Sequence, residues 1–167
     1  SEPVPRIEET RYINGFEGVK AADSVDWTTS DAVTGVKNQG QSGSCWAFST
    51  TGGLEGAYFL KNNKQVSFSE QQLVDCDKDG KDGDQGCNGG LMDNAFQYIA
   101  KNGLCTEDDY SYTGKDDTCK TTCAPVEGTA GLKYTDVANT EEALAAAVTQ
   151  QPISVAVDAD FRWQMYR

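Results

Sequence analysis

The residues best suited to covalent chemistry lie in one glycine-bearing stretch, Gln39 to Phe48. Cys45 follows a glycine-rich turn and begins an apolar run that predicts a helix from about Ser44 to Leu60. A thiol in the first turn of a helix meets unpaired backbone N–H groups and the positive end of the helix dipole, and both favour the nucleophilic thiolate. The pattern suits a cysteine nucleophile, but a cysteine beside a tryptophan is, taken alone, more often a buried or disulfide-bonded residue.

A second polar group precedes this cysteine. Gln39 lies six residues before Cys45 and carries an amide that can donate a hydrogen bond. Together with the Cys45 backbone N–H, it predicts a pair of donors for the oxygen of a tetrahedral intermediate. The glycines between them, including Gly43, let a substrate backbone approach closely. The sequence contains no histidine, so the usual acid–base partner of a catalytic thiol is not in this chain.

Composition excludes several classes of partner. The formal net charge is −12 and the pI is near 4.3, so the surface repels nucleic-acid phosphate and anionic lipid. No apolar run approaches the roughly 18 residues of a membrane helix, so no membrane partner is expected. Six cysteines favour an oxidising compartment. The acidity is compatible with a lysosome, a vacuole or secretion.

Periodicity and capping residues predict the elements that position this stretch. Ser69 opens a short helix through residue 75, and further helices cover 91–102 and 140–149. Residues 153–157 alternate as a strand does. Three glycines inside the first helix, at positions 52, 53 and 56, each cost about 1 kcal/mol relative to alanine and predict close approach of a neighbouring backbone.

The charged loop 77–84 has the composition but not the spacing of a calcium loop, and no glutamate closes it. A solvated loop is the expected reading, and we expect neither a metal nor an organic cofactor.

Several blocks resemble one known family. Residues 36–40 and 43–49 resemble the nucleophile region of the papain and cathepsin L cysteine peptidases. Val25-Asp26-Trp27 resembles the start of the mature family domain, and the blocks 69–76, 86–92 and 151–157 resemble later family motifs in the same order.

The resemblance implies an α+β fold, the papain-like two-domain fold. Residues 23–130 would form a complete, mainly helical left lobe whose first residues pack on the right lobe, and 131–167 would begin a right-lobe β-barrel that is only partly present. An active-site cleft would lie between the lobes. Residues 1–22 would be a leader, either the tail of a pro-segment or a flexible tail.

The same resemblance implies roles for individual residues. Cys45 matches the nucleophile and Gln39 the oxyanion-hole glutamine. The substrate would be bound by Gly43 and Trp46 beside the nucleophile, by the backbone of Gly89 and Gly90, and by an apolar pocket walled by Leu91, Met92 and Ala156.

The cysteines depart from the family pattern in one place. Ser42 stands where the family has a cysteine paired with the position of Cys87, so that bridge cannot form. The resemblance implies a Cys76–Cys119 disulfide and leaves Cys105 and Cys123 as a second bridge, with Cys87 as a free thiol.

The implied function is cysteine endopeptidase activity through a Cys45 thioester acyl-enzyme. The catalytic histidine and its orienting asparagine would come from a C-terminal segment beyond Arg167 or from a second chain, so this chain alone is predicted to be inactive. Expected partners are peptide or protein substrates and pro-segment or cystatin-type inhibitors. The alternative is a non-catalytic relative with a binding or structural role.

Overall fold

The computed structural model of this chain describes residues 18–78 and 83–165; most of the predicted leader lies outside these ranges. Within them the chain forms four α-helices: α1 (Cys45–Asn62), α2 (Glu70–Cys76), α3 (Met92–Asn102) and α4 (Glu141–Gln150). Short 3-10 turns lie at Trp27–Thr29, Gly86–Asn88 and Phe161–Met165. None of these helices is both long and apolar enough to cross a membrane.

The helices begin where the capping residues predict. The Ser69 hydroxyl accepts a hydrogen bond from the Gln72 N–H at 3.0 Å, and the Thr140 hydroxyl accepts one from the Ala143 N–H at 3.1 Å. α3 ends at Asn102, and the capping residue that follows, Gly103, has a φ of +73°, which is disfavoured for residues with a Cβ. The helix boundaries therefore agree with the sequence-based ones to within two residues.

The hydrophobic core lies where α1 packs against α2 and α3. Because α1 presents large side chains to both partners, it is the central element that positions its own N-terminal cysteine. The fully or almost fully buried side chains of this core include Trp46, Leu54, Phe68, Leu73, Ile99 and Leu104.

Two disulfides brace the irregular segment after α3: one ties it to the end of α2, and the other closes a loop within the segment. They join Cys76 to Cys119 and Cys105 to Cys123, which is the pairing that the resemblance implies. Cys45 and Cys87 are free.

The predicted close approach to the α1 glycines is present at Gly53 and Gly56 but not at Gly52, and the nearest atoms belong to side chains. A Cβ added to Gly56 would lie 2.5 Å from Pro152 Cγ, and one added to Gly53 would meet the Ser154 hydroxyl. Ser154 also donates to the Ser49 carbonyl at 2.6 Å. The segment that follows α4 therefore packs directly along the face of α1 that carries these residues.

The strand predicted for residues 153–157 does not form. In the described ranges the only β pairing is an isolated antiparallel bridge between Phe68 and Thr106. An alternating segment becomes a strand only when a neighbour completes its backbone hydrogen bonds. Here the hydrogen bonds to α1 come from Ser49 and Ser154 side chains instead.

The start of the described chain contacts α4. The Ala22 N–H donates to the Thr149 hydroxyl at 3.0 Å, and the Trp27 indole N–H donates to the Val148 carbonyl at 2.7 Å. Residues near the predicted mature start thus lie against the helix of the proposed right-lobe segment.

Candidate active site

Cys45 is the first residue of α1, and its side chain is exposed. Ser44 occupies the N-cap position but makes no side-chain capping bond. Its carbonyl accepts from the Ala47 N–H at 2.9 Å and from the Phe48 N–H at 3.3 Å. The N–H groups of Cys45 and Trp46 precede these first helical bonds, so the positive end of α1 faces the thiol.

Residues 39–44, which we name the oxyanion loop, lead into this helix. The Gln39 amide donates one hydrogen to the Ser42 carbonyl at 2.8 Å. A primary amide carries two such hydrogens, so the second remains for another acceptor. The bond to Ser42 ties the amide to the residue three positions before Cys45.

Gly43 is held against the segment that precedes α3. Its N–H donates to the Cys87 carbonyl at 2.9 Å, and a Cβ at this position would lie 2.5 Å from the same oxygen. Any side chain at residue 43 would therefore push the two segments apart. Next to this bond, the Ser42 hydroxyl contacts the Cys87 sulfur.

Gly89 and Gly90 follow two and three residues after Cys87. Gly89 has a φ of +120°, a conformation that side chains rarely adopt. A Cβ on Gly90 would lie 2.5 Å from Trp46 Cδ2. The Trp46 side chain is only 2% exposed and donates to the Gly86 carbonyl at 3.0 Å. It packs against Gly90 from the core side, and its low exposure leaves little of the predicted substrate-binding surface to Trp46 itself.

The predicted pocket residues differ in exposure. Leu91 is 60% exposed, Met92 is half-buried and Ala156 is exposed. Ala156 directly follows Val155, whose carbonyl accepts from the Ser49 hydroxyl at 3.2 Å, one helical turn after Cys45. The apolar side chains at 91 and 156 are thus open to a ligand.

The Asp84 carboxylate holds the start of α3, and this role of Asp84 was not predicted from the sequence. One carboxylate oxygen accepts from the Leu91 N–H at 2.7 Å and from the Asn94 amide at 3.2 Å. Asp77 and Asp84 are each only 4% exposed. The expectation of a solvated loop is therefore wrong at these two ends, because both carboxylates turn inward; residues 79–82 lie outside the described ranges.

A second unpredicted residue, Tyr112, touches both ends of the oxyanion loop. Its hydroxyl donates to the Gln39 carbonyl at 2.8 Å and lies 2.7 Å from the Ser44 hydroxyl. Its ring packs edge-on against Phe48, with 4.9 Å between centroids. Only the side-chain contacts reveal this role, since Tyr112 lies 73 residues from Gln39 in the chain.

A buried ionic cluster lies behind the loop. Lys37 bridges Glu55 at 2.7 Å and Glu70 at 2.6 Å. Burial alone would lower the pKa of Lys37, but hydrogen bonds to Glu55 and Glu70 and their charges outweigh it and raise the pKa. The lysine therefore stays charged and neutralises part of the cluster.

Glu107 adds a third carboxyl to this cluster. Burial raises its pKa to about 7, the neighbouring Glu70 adds to the rise, and the bond from the Tyr112 N–H opposes it. One oxygen of Glu107 and one of Glu70 are buried without a donor. The raised pKa favours the protonated Glu107 carboxyl, whose O–H is a hydrogen-bond donor that the cluster otherwise lacks at this point.

The chain is similar to known cysteine proteases. Residues 21–167 match the profile described as Papain family cysteine protease. The chain is 52% identical over 147 residues to "Senescence-specific cysteine protease SAG39" of Oryza sativa subsp. indica, covering 86% of this chain and 42% of that protein. It is 54% identical over 144 residues to "Procathepsin L" of Mus musculus, with 84% and 42% covered.

A crystal structure of the Amb a 11 cysteine protease, a ragweed pollen allergen in its proform, superposes with a TM-score of 0.73 at 42% identity. The match covers 83% of this chain and 42% of that one, so this chain spans well under half the length of these relatives. The fold is the papain-like α+β fold, and the part present here is largely its helical portion. Because the family profile matches residues 21–167, which is most of the chain, the chain belongs to the papain family of cysteine proteases.

Proposed function

We propose that the protein to which this chain belongs is a cysteine endopeptidase with Cys45 as its nucleophile. The observation that carries the proposal is the exposed Cys45 thiol at the N-terminus of α1, at the end of a loop in which the Gln39 amide is bonded to the Ser42 carbonyl. Helix N–H groups favour the thiolate, and a thiolate is the species that attacks a peptide carbonyl.

The reaction proceeds through two covalent changes. The Cys45 sulfur attacks the peptide carbonyl carbon, and the second Gln39 amide hydrogen and the Cys45 N–H receive the developing oxyanion. Collapse breaks the C–N bond, and a protonated histidine gives its proton to the leaving amine. Water, deprotonated by the same histidine, then hydrolyses the thioester and releases the acid.

That histidine, with an asparagine that orients it, is supplied by sequence beyond Arg167 or by a second chain. The chain itself contains no histidine, and it covers 42% of its relatives SAG39 and Procathepsin L. We assign 23–130 to a left lobe and 131–167 to the start of a right lobe that the remaining sequence completes. A pro-segment is an expected partner, since the structurally similar Amb a 11 protease was solved as a proform. The expected location is a lysosome or vacuole, or outside the cell.

The substrate side chain two residues before the cut enters the pocket of Leu91, Met92 and Ala156. Because these walls are apolar, Phe, Leu or Val fits there, whereas Arg leaves an unpaired guanidinium against them. In a peptide library, peptides with an apolar residue in the second position before the cut should therefore be cleaved preferentially. Preference for Arg would contradict the pocket assignment, and would point to an acidic residue from the rest of the protein.

The activity is tested in the full-length protein with a fluorogenic peptide and an epoxide inhibitor of cysteine peptidases. Hydrolysis that disappears in Cys45→Ala, with the epoxide attached to Cys45 by mass spectrometry, supports the proposal. A protein that neither turns over the peptide nor accepts the label would be a non-catalytic relative with a binding role.

A further inference from the structure

We infer that Tyr112 is a positioning residue that holds the two oxyanion donors in register. The inference rests on the proposed function, since it concerns the same reaction. Tyr112 is not one of the site residues predicted from the sequence. It acts through Gln39 and Ser44 and does not act on the substrate directly.

The direction of its hydrogen bonds follows from a proton count. A phenol has one O–H hydrogen, and a carbonyl oxygen can only accept. Tyr112 therefore donates to the Gln39 carbonyl, 2.8 Å away. The Ser44 hydroxyl, 2.7 Å away, must then donate to the tyrosine oxygen. The result is a directed chain from Ser44 through Tyr112 to Gln39.

These hydrogen bonds join the first residue of the oxyanion loop to its last residue. Gln39 begins the loop and carries the amide donor, whereas Ser44 ends it and immediately precedes the Cys45 N–H. The Gln39 amide is further tied to the Ser42 carbonyl at 2.8 Å. The Tyr112 hydroxyl thus bridges Gln39, which carries one proposed donor, and Ser44, which directly precedes the other. Without that hydroxyl, the two ends of the loop lose their common anchor.

Tyr112 is itself held rigidly. Its N–H donates to Glu107 at 2.8 Å, the next N–H, of Thr113, donates to Gln71 at 2.8 Å, and its ring meets Phe48 of α1 edge-on. The ring contact does not need the hydroxyl. Tyr112→Phe therefore removes the tie to the loop while keeping the packing.

The test uses the full-length protein and compares Tyr112→Phe with a matched control, Tyr110→Phe. Tyr110 is 3% exposed, and its hydroxyl donates to Asp75 at 2.7 Å and accepts from the Lys120 N–H at 3.1 Å. The control loses an equally bonded hydroxyl that does not touch the loop. Measurements are kcat and KM for a fluorogenic peptide, the alkylation rate of Cys45 by iodoacetamide, and Tm.

For Tyr112→Phe we expect kcat to fall about tenfold or more, with KM within about twofold, because misplaced oxyanion donors weaken only the transition state. Iodoacetamide displacement develops no oxyanion, so its rate should stay unchanged. Tyr110→Phe should lower Tm but leave kcat unaltered. Ser44→Ala keeps the hydrogen bond from Tyr112 to the Gln39 carbonyl and should therefore lower kcat less than Tyr112→Phe does. If Tyr112→Phe does not fold, kcat of Ser44→Ala tests the inference in its place.

An unchanged kcat in Tyr112→Phe or, if that variant does not fold, in Ser44→Ala would overturn the inference while leaving the proposed function intact. So would a loss of iodoacetamide reactivity in parallel with kcat, since that would place the effect on the thiol. If the unsubstituted protein itself does not cleave the peptide, the proposed function fails, and the inference fails with it.

Discussion

A serine directly before a helix ordinarily turns its hydroxyl back onto the free N–H groups of the first turn, which is worth about 1 kcal/mol. Ser44 makes no such bond and is engaged with Tyr112 instead. The N–H groups beside Cys45 are therefore not consumed by a cap. At this position the chain forgoes local helix stability, and the positive end of α1 stays available for a thiolate and an oxyanion.

Ser42 and Cys87 give a prediction at the same scale. Their side chains are already in contact, and the Gly43 N–H donates to the Cys87 carbonyl. Ser42→Cys should therefore form a disulfide with Cys87 without a large backbone shift. We expect stabilisation of about 2–4 kcal/mol, read from the urea midpoint of unfolding.

Thiol titration checks the bond directly. The free cysteines are now Cys45 and Cys87, so a bridged variant should titrate only Cys45. Three titrating thiols, or a midpoint that does not rise, would show that the two backbones are not placed for a disulfide. Reduction of the variant should return its stability to that of the original chain.

At the scale of elements, the glycines of α1 separate into two kinds. A Cβ on Gly56 would lie 2.5–3.0 Å from three atoms of Pro152, whereas a Cβ on Gly52 meets nothing within 4 Å. Both positions lie inside the same helix, where alanine is favoured by about 1 kcal/mol. We expect Gly52→Ala to stabilise the protein by about 0.5–1 kcal/mol.

Gly56→Ala should instead destabilise the protein by about 1–3 kcal/mol, because overpacking forces α1 and the segment after α4 apart. Chemical unfolding of the two variants provides the comparison. Equal stabilisation by both alanines would mean that residues 152–154 do not pack on α1 as described.

The carboxyl pair behind the oxyanion loop gives a pH prediction. The pKa of Glu107 is raised from 4.5 to about 7 by burial and by Glu70. The folded state then binds this proton more tightly than the unfolded chain does. The associated stabilisation is complete below about pH 4.5 and is lost as the pH rises through about 7.

Glu107→Gln should therefore flatten the decline of Tm between pH 4.5 and pH 7.5. Glu127→Gln, at an exposed carboxyl, controls for the loss of one negative charge. If the difference in Tm between the original protein and Glu107→Gln is constant across this range, the pKa of Glu107 is not raised in the folded state.

At the scale of the whole molecule, local sequence rules predicted what depends on local structure. The caps at Ser69 and Thr140 and the stop at Gly103 act within a few residues, so their helices were predictable. The position of Cys45 at a helix start was predictable for the same reason. The disulfide pairing was not derivable from spacing and came from the family resemblance.

The missed features all depend on contacts between distant segments. Tyr112 reaches Gln39 across 73 residues, and Glu107 meets Glu70 through the fold alone. The predicted strand at 153–157 failed for a related reason, since alternation does not specify a partner. Such contacts become visible only when the elements are packed.

The same dependence on distant segments applies to the active site as we propose it. The Cys45 thiol, Gln39 and the Gly89–Gly90 pair lie in this chain, and the proposed acid–base residue, a histidine, lies in sequence outside it. The proposed cleft is therefore shared between this chain and the remainder of the protein.

The most direct test of this division is the rate of Cys45 alkylation by iodoacetamide as a function of pH, with and without the sequence beyond Arg167. Cys87→Ser in both forms removes the other free thiol. We predict that the histidine-bearing segment shifts the profile towards acid, because a thiolate–imidazolium pair forms, and that peptide hydrolysis appears only with it. Identical alkylation profiles, or robust hydrolysis by the 167-residue chain alone, would contradict the account.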